Sequence, residues 1–334
     1  MQPVSIIATV LNEAEEIGRL VPSLLGQIPP PAEVVIVDGG STDGTWERLV
    51  EEAQRHPTLV PIRDESCNLK RSPGPISRGR NVAITAASSP IIACADAGCT
   101  YAPDWLARIT APLVAGTAEY ALGGACIDPA DPTVWDLASA HFFGVRLSPS
   151  APSKSCTARS MAFTKELWQS IGGFPESIFY GEDTLFDLEA RRLTKPAFVE
   201  CAKAFYRPQY TFRSACRQLA SYAISDGILG VRPARLYRNS ARCIVQLLGL
   251  LWPLSVVAVA GEARFAGWSL LPPVAVLAME AWFAFHPDWR LLARYGPRAL
   301  AARFLFSILV PWIVAVNRIR GGLTGRFQAN RQNA

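Results

Sequence analysis

Charge is scarce in this chain. Only 18% of its 334 residues are Asp, Glu, Lys or Arg, against 50% that are hydrophobic, and the mean hydropathy is +0.17. That balance excludes disorder as the main state. Histidine is scarcer still: His56, His141 and His286 stand alone and belong to no constellation. Paired cysteines are missing too. Cys67, Cys94, Cys99, Cys126, Cys156, Cys201, Cys216 and Cys243 include no Cys-x-x-Cys, and their spacing suits no zinc module. The opening Met1-Gln-Pro-Val-Ser-Ile-Ile7 has neither a basic n-region nor a cleavage site, so a secretory signal is not expected. The cysteines then read as reduced thiols of a cytoplasmic domain, chiefly small buried hydrophobes. The positive excess, 33 basic against 28 acidic residues, suits an anionic membrane surface or a phosphate ligand better than nucleic acid, and no nucleic-acid partner is expected.

What is present divides the chain in two. At about 150 residues per domain, the length predicts roughly two domains. Residues 1–235 mix apolar runs with charges and turn signals, while 236–334 read as membrane-associated helices. Positions 243–261 carry no charge. Positions 265–285 carry one acid, Glu280, and a Pro272-Pro273 pair; 304–317 are uncharged but contain Pro311. A spanning helix needs about 20 apolar residues. The first two runs are therefore read as spans, and the shorter third as an interfacial or re-entrant segment. Arginines flank them: Arg232, Arg235, Arg238 and Arg242 before the first, Arg290, Arg294, Arg298 and Arg303 before the third, Arg318, Arg320, Arg326 and Arg331 after it. A two-helix hairpin puts all these clusters, and the N-terminal domain, on the cytoplasmic face of the inner membrane. Trp252, Trp268, Trp282, Trp289 and Trp312 scatter along the segments as interface anchors do. A buried helical hairpin in a soluble domain is the plainer alternative.

The first part alternates strand and helix. Val4–Val10, Val34–Val37, Leu59–Ile62 and Ile91–Ala95 are short apolar, strand-like runs. Ile17, Leu20, Val21, Leu24 and Leu25 repeat with helical period, although Pro22 should kink that helix. Thr45–Ala53 and Arg80–Ala87 also read as helices. All-apolar strands between helices predict an α/β fold with a Rossmann-like, mostly parallel sheet covered on both faces. Ligands of such sheets bind beyond the carboxyl ends of the strands. Glu13, Asp38 and Asp96 stand at those ends and are expected to converge on one crevice.

Each acidic group has a chemical and a plainer reading. Asp38, before Gly39-Gly40, suits a ribose or a base N–H, and capping by Ser41 or Asp43 must occur beside it. Asp96-Ala97-Gly98 suits a divalent metal bridging a diphosphate, or is a turn-forming Asp. Gly181-Glu182-Asp183 precedes a helical run, Thr184–Leu193, where an acidic pair compensates the helix dipole or supplies a general base to a hydroxyl nucleophile. Lys70, Arg71, Arg78 and Arg80 crowd a Gly/Pro-rich segment suited to phosphate, without Walker or G-x-G-x-x-G spacing. Arg213 and Arg217, four apart, share a helix face and can meet a diphosphate or lipid headgroups.

Taken in order, these pieces resemble the family 2 glycosyltransferases of the GT-A fold. The resemblance rests on Val4-Ser-Ile-Ile-Ala-Thr-Val-Leu-Asn-Glu13, Val34-Val-Ile-Val-Asp-Gly-Gly-Ser-Thr-Asp-Gly-Thr45, Arg78-Gly-Arg-Asn81, Ala95-Asp-Ala-Gly-Cys-Thr-Tyr-Ala-Pro-Asp-Trp-Leu106, Arg159-Ser-Met-Ala-Phe163, Gly172-Gly-Phe-Pro-Glu176 and Gly181-Glu-Asp183. It covers about residues 3–230. It implies that Thr9, Glu13 and Asp38 face the nucleotide base and ribose. Arg78 and Asn81 would border the nucleotide or its diphosphate, and Asp96 would face the diphosphate and metal. Asp183 would be the catalytic base, with Glu182 beside it. One departure stands out: Gly98 occupies the second acid position of the family's Asp-x-Asp. A bound Mg²⁺ or Mn²⁺ would then be held weakly by Asp96, or Arg and Lys would take over the leaving-group charge.

The resemblance implies an inverting transfer from a nucleoside-diphosphate sugar to a hydroxyl of a lipid-linked glycan or polysaccharide at the membrane. A polyprenyl-phosphate acceptor, which needs arginines such as Arg213, Arg217, Arg232 and Arg235 rather than a base, is the alternative. A catalytically silent nucleotide-sugar-binding membrane protein is the rival from another class, favoured by Gly98. A sugar nucleotidyltransferase would need a Gly-rich phosphate loop where Asn12-Glu13-Ala14 stands.

Overall fold

The computed structural model describes residues 2–147, 158–260, 271–285 and 289–332. The expectations at Cys156, Trp268, His286 and residues 265–270 lie outside them. The chain forms two compact units: Met1–Asp131 with Gly144–Pro208, and Pro132–Phe143 with Gln209–Ala334.

The first unit is a layered α/β structure. Its strands are Val4–Val10 (β1), Glu33–Asp38 (β2), Leu59–Arg63 (β3), Ile91–Cys94 (β4), Cys99–Tyr101 (β5), Tyr120–Ile127 (β6), Met161–Thr164 (β7) and Ala197–Tyr206 (β8). They form one sheet in the order β3-β2-β1-β4-β7-β6-β8-β5. The pairings β3/β2, β2/β1, β1/β4 and β6/β8 are parallel, and the other three are antiparallel. The sheet is thus mixed, with its parallel part where the apolar runs predict it. Helices Ala14–Leu25 (α1), Thr45–Arg55 (α2), Pro75–Ala86 (α3) and Trp105–Val114 (α4) connect the early strands, and Lys165–Ile171 (α6) and Glu182–Leu193 (α7) follow β7.

Strict alternation explains why the central strands are apolar throughout. Ile6, Ala8 and Val10 of β1 pack into one core with Ile17 and Leu20 of α1 and Trp105 of α4. Ile7, Val35 and Val37 pack into a second core with Ala83 and Ile84 of α3 and Phe186 of α7. Both faces are covered, so neither needs polar residues. The strand order switches between β1 and β4, and ligands of such sheets bind at that switch, beyond the carboxyl ends of the strands.

The second unit is helical: Val134–Ser139 (α5), Phe212–Ile228 (α8), Pro233–Ala260 (α9), Leu271–Phe285 (α10), Trp289–Ala293 (α11) and Pro297–Gln332 (α12). Phe306, Val310 and Val314 of α12 pack on Ala215, Leu219 and Ala223 of α8 and Ala138 of α5. Residues 304–317 belong to this continuous α12, which runs through Pro311. Among the described residues one helix, Pro297–Thr324, is long and apolar enough to cross a bilayer, by length and composition, and half of its apolar window is buried inside the protein.

Candidate active site

The site is built from loops that close on the ends of β1, β2 and β4. Asn12 takes the left-handed conformation, φ 57°, which Asn tolerates better than most residues. The loop after β2 holds this bend by side chains. Ser41 Oγ accepts from Asn12 N at 2.8 Å, Thr45 Oγ1 from Glu13 N at 2.8 Å, and Asp43 Oδ2 from Ala14 N at 3.1 Å. Asp38 anchors that loop in turn: its carboxylate is 0% exposed and accepts from Ser41 N at 3.1 and 3.2 Å and from the Ser41 hydroxyl. The Asp38–Thr45 run therefore acts on the loop and on the backbone of Glu13. Burial first, then the Glu16, Asp43 and Asp96 carboxylates, push the Glu13 carboxyl up to about 7. Thr9, near the end of β1, packs against Gly79 of α3, where an added Cβ would lie 2.7 Å from the Thr9 methyl.

Arg80 sits at the centre of the charges. It is 4% exposed. Its Nη1 donates to Glu182 Oε1 at 2.8 Å and its Nη2 to Asp96 Oδ1 at 2.9 Å, and its guanidinium lies 5.4 Å from the Phe174 ring centroid. Burial alone would lower its pKa; the two carboxylates push it up instead. Arg159 adds a second cation: its Nε is 3.8 Å from Asp96 Oδ2, and it stacks 4.1 Å above the Tyr206 ring. Tyr101 fixes the Asp96 turn by accepting from Asp96 N at 2.9 Å and donating to Arg159 O at 3.0 Å.

Asp183 opens α7 behind Gly181, whose φ of 84° suits glycine. Phe186, three residues on and so on the same helix face, stacks on Phe174 at 4.3 Å and tilts against Phe163 at 4.9 Å, which fixes the helix start. Asp183 is partly buried. Burial and then the Glu182 charge push its carboxyl up to about 6, against the pull of Arg80 and Arg159. The structure thus gathers Asp96, Glu182 and Asp183 around Arg80, and brings Glu13 within the field of Asp96.

The remaining expected residues are placed differently. Arg78 donates to Ser66 Oγ at 2.7 Å and to Glu176 Oε2 at 3.1 Å, with 41% of its side chain exposed. Asn81 spends its amide on the 172–176 loop, donating to Phe174 O and Glu176 Oε1 at 2.9 Å each and accepting from Phe174 N at 2.8 Å and Trp168 Nε1 at 3.2 Å. Arg213 and Arg217 stand exposed on α8 of the second unit. In the sequence Arg80 belongs only to a phosphate-suited basic segment, and Arg159 has no assigned role. A signal for Arg80 existed: Arg80, Ala83, Ile84 and Ala87 follow the i, i+3, i+4, i+7 spacing of a buried helix face.

The donor set bears on a metal. Among the described residues no three His, Cys, Asp or Glu side chains group as a metal cage. Asp96, its side chain 30% exposed, stands alone, with Arg80 on Oδ1. One such carboxylate fits only an ion that brings most of its ligands from phosphates and water, as Mg²⁺ does.

The family model for glycosyl transferase family 2 matches residues 5–174, just over half of the chain. The chain belongs to this family, and it is a glycosyltransferase. It is 28% identical over 326 residues to the succinoglycan biosynthesis protein ExoA of Rhizobium meliloti, covering 91% of each chain. It is 27% identical over 193 residues to the glycosyltransferase AglE of Haloferax volcanii, covering 54% of this chain and 58% of that one. Its fold matches that of the mannosyltransferase PcManGT from Pyrobaculum calidifontis, solved with GDP-Man and Mn²⁺, at a TM-score of 0.55 and 18% identity, over 94% of this chain and 87% of the other. The fold is GT-A-like, as the resemblance implies.

Proposed function

We propose that this glycosyltransferase moves a sugar, with inversion, from a nucleoside-diphosphate donor to a hydroxyl of a lipid-linked glycan or polysaccharide at the cytoplasmic face of the cell membrane. Asp183 carries the reading. A carboxyl raised to about 6 is ionised at neutral pH yet basic enough to take a proton from a hydroxyl. Asp183 removes the acceptor proton while the oxygen attacks the anomeric carbon, and the bond to the diphosphate oxygen breaks. Thr9 and Glu13 face the base and ribose. Glu13, near 7, can donate as well as accept a hydrogen bond at neutral pH. Asp38 serves the nucleotide by holding the loop beneath it, and Asn81 by holding the 172–176 loop. Arg78 borders the diphosphate, and Arg213 and Arg217 serve anionic groups of the acceptor. Asp96 would hold a divalent ion carried on the donor, which would supply positive charge to the departing diphosphate. The GDP-Man and Mn²⁺ of the PcManGT structure support this donor and ion class, and the ExoA relative supports a polysaccharide product.

The membrane reading is supported by an inverted pattern in the second unit. Arg242 of α9 pairs with Glu280 of α10, and Gln246 donates to Glu280 Oε1 at 2.9 Å. Ser307 of α12 donates to Glu280 Oε2 at 2.7 Å. Glu280 is 1% exposed, whereas Leu248, Leu250, Val274 and Trp282 of the same helices are 58–69% exposed. Polar groups inside and large apolar ones outside suit lipid, where ionisable side chains turn toward the bundle interior.

Asp183→Asn tests the mechanism. Transfer is expected to fall by about 10²–10⁴-fold, the typical contribution of a general base, while nucleotide binding measured by calorimetry stays near wild type. Normal turnover in the variant would refute the assigned base.

A further inference from the structure

The second unit holds a charge imbalance that the transfer reaction does not use. Asp226 of α8 is 6% exposed. Three guanidiniums converge on its carboxylate: Arg232 Nη1 at 3.2 Å, Arg235 Nη1 at 3.4 Å and Arg318 Nη1 at 3.2 Å. Glycines permit this meeting of α8 with α12. A Cβ on Gly227 would fall 2.2 Å from Arg318 O, and one on Gly321 would fall 2.1 Å from Ile224 O, so the two backbones touch. Arg318 is 4% exposed; its Nη2 donates to Val231 O, while its Nη1 makes no hydrogen bond. Among the described residues Arg235 and Arg318 pair with no carboxylate other than Asp226, so one negative charge faces the buried Arg318 and the partly buried Arg235, 22% exposed. A buried charge without a matching countercharge is destabilising. The cluster is therefore short of an anion.

The surroundings say which kind. Exposed Arg238 follows on α9, and within about three turns of Arg235 that helix becomes an exposed apolar face of Ile244, Leu247, Leu248 and Leu251. Guanidiniums meet phosphate oxygens in pairs at matched geometry. We propose that Arg235 and Arg318, with Arg232 at the rim and Asp226 holding all three in place, bind the phosphate group of an anionic lipid whose chain lies along α9. The proposal rests on the membrane reading of the second unit.

The full-length protein in phosphatidylcholine vesicles separates the two ideas. Failure to insert into neutral vesicles would overturn the membrane reading itself. With insertion shown, phosphatidic acid added to the vesicles is expected to raise the melting temperature. Arg235→Gln and the more exposed Arg232→Gln should each weaken that apparent affinity by roughly tenfold, the loss of one charge-assisted contact. Arg320→Gln, on an exposed residue outside the cluster, should leave it unchanged. Equal phosphatidic acid affinity in all forms, with wild-type melting in neutral vesicles, would overturn the site. An equal loss in Arg320→Gln would overturn it in favour of diffuse surface attraction. Inorganic phosphate forms the soluble arm: if it stabilises the neutral-vesicle protein as strongly as phosphatidic acid does, the lipid assignment falls.

Discussion

As the proposed base, Asp183 depends on neighbours that make it a poor acid, and that has consequences at two pH ranges. Its carboxyl lies near 6 rather than 3.8, from burial and then from Glu182. The base acts only when ionised, so kcat/KM should rise with pH through about 6. Glu182→Gln removes the like charge beside Asp183 and one of the two countercharges on Arg80, and both changes lower the Asp183 pKa. The acid limb of the profile should therefore move to lower pH, by about one unit, and an unmoved limb would detach Glu182 from the base. Stability follows the opposite sign. A raised folded-state pKa favours the folded form below 3.8, and this contribution is lost as pH rises through about 6. Gly98 bears on a different chemistry. Its backbone is not left-handed, and an added Cβ would meet only ordinary contacts, Tyr206 Cε2 at 3.6 Å and Arg207 O at 3.9 Å. Gly98→Asp should fold with a melting temperature close to wild type and make nucleotide binding more strongly Mn²⁺-dependent, read by calorimetry with and without chelator. No gain in metal dependence would argue that the crevice handles the diphosphate with Arg80 and Arg159 alone.

Elements differ in how much of themselves the sequence discloses. β1, β2 and β4 are legible because each is an apolar run ending beside a polar residue, and their order brings Glu13 and Asp96 together. α3 is less legible. Its first five residues include Pro75, Ser77 and Gly79, which read as a loop, so the helix is expected at Arg80–Ala87 but spans Pro75–Ala86. Proline at the first helical position is in fact well suited to starting a helix. That shift hides Arg80, because a residue at a helix start looks exposed and one in the second turn faces the sheet. Asp38 was legible as a strand-end acid, but its complete burial depends on how Ser41 folds back, which spacing does not specify. The closeness of β1 and α3 gives a test at this scale. Gly79→Ala places a methyl 2.7 Å from Thr9 Cγ2 and should cost about 1–3 kcal/mol by denaturant unfolding. Adding Thr9→Ser removes the obstructing methyl and should restore most of it; a simple sum of the two losses would mean the contact is not the cause.

At the scale of the whole molecule the open matter is the solvent of the second unit. Hydropathy alone is ambiguous, because α12 is apolar enough to cross a bilayer and yet half of that window packs against protein. The direction of the side chains decides more. In water, the Arg242–Glu280–Ser307 network would belong on the surface, and Leu248, Leu250, Val274 and Trp282 would belong inside. Their positions are reversed, and acyl chains around the helices would suit the exposed apolar residues and make the bundle interior the better place for the charges. Trp252 and Trp282, 45% and 64% exposed on α9 and α10, report on this directly. Trp105 of the first unit is fully buried and supplies an internal contrast. In vesicles whose acyl chains are brominated, fluorescence should be quenched relative to ordinary vesicles. The Trp252→Phe/Trp282→Phe double variant should lose a measurable part of the quenchable fraction while keeping its melting temperature. Quenching of equal size in the double variant would mean that these faces do not meet acyl chains, and the exposed leucines would then call for a protein partner instead.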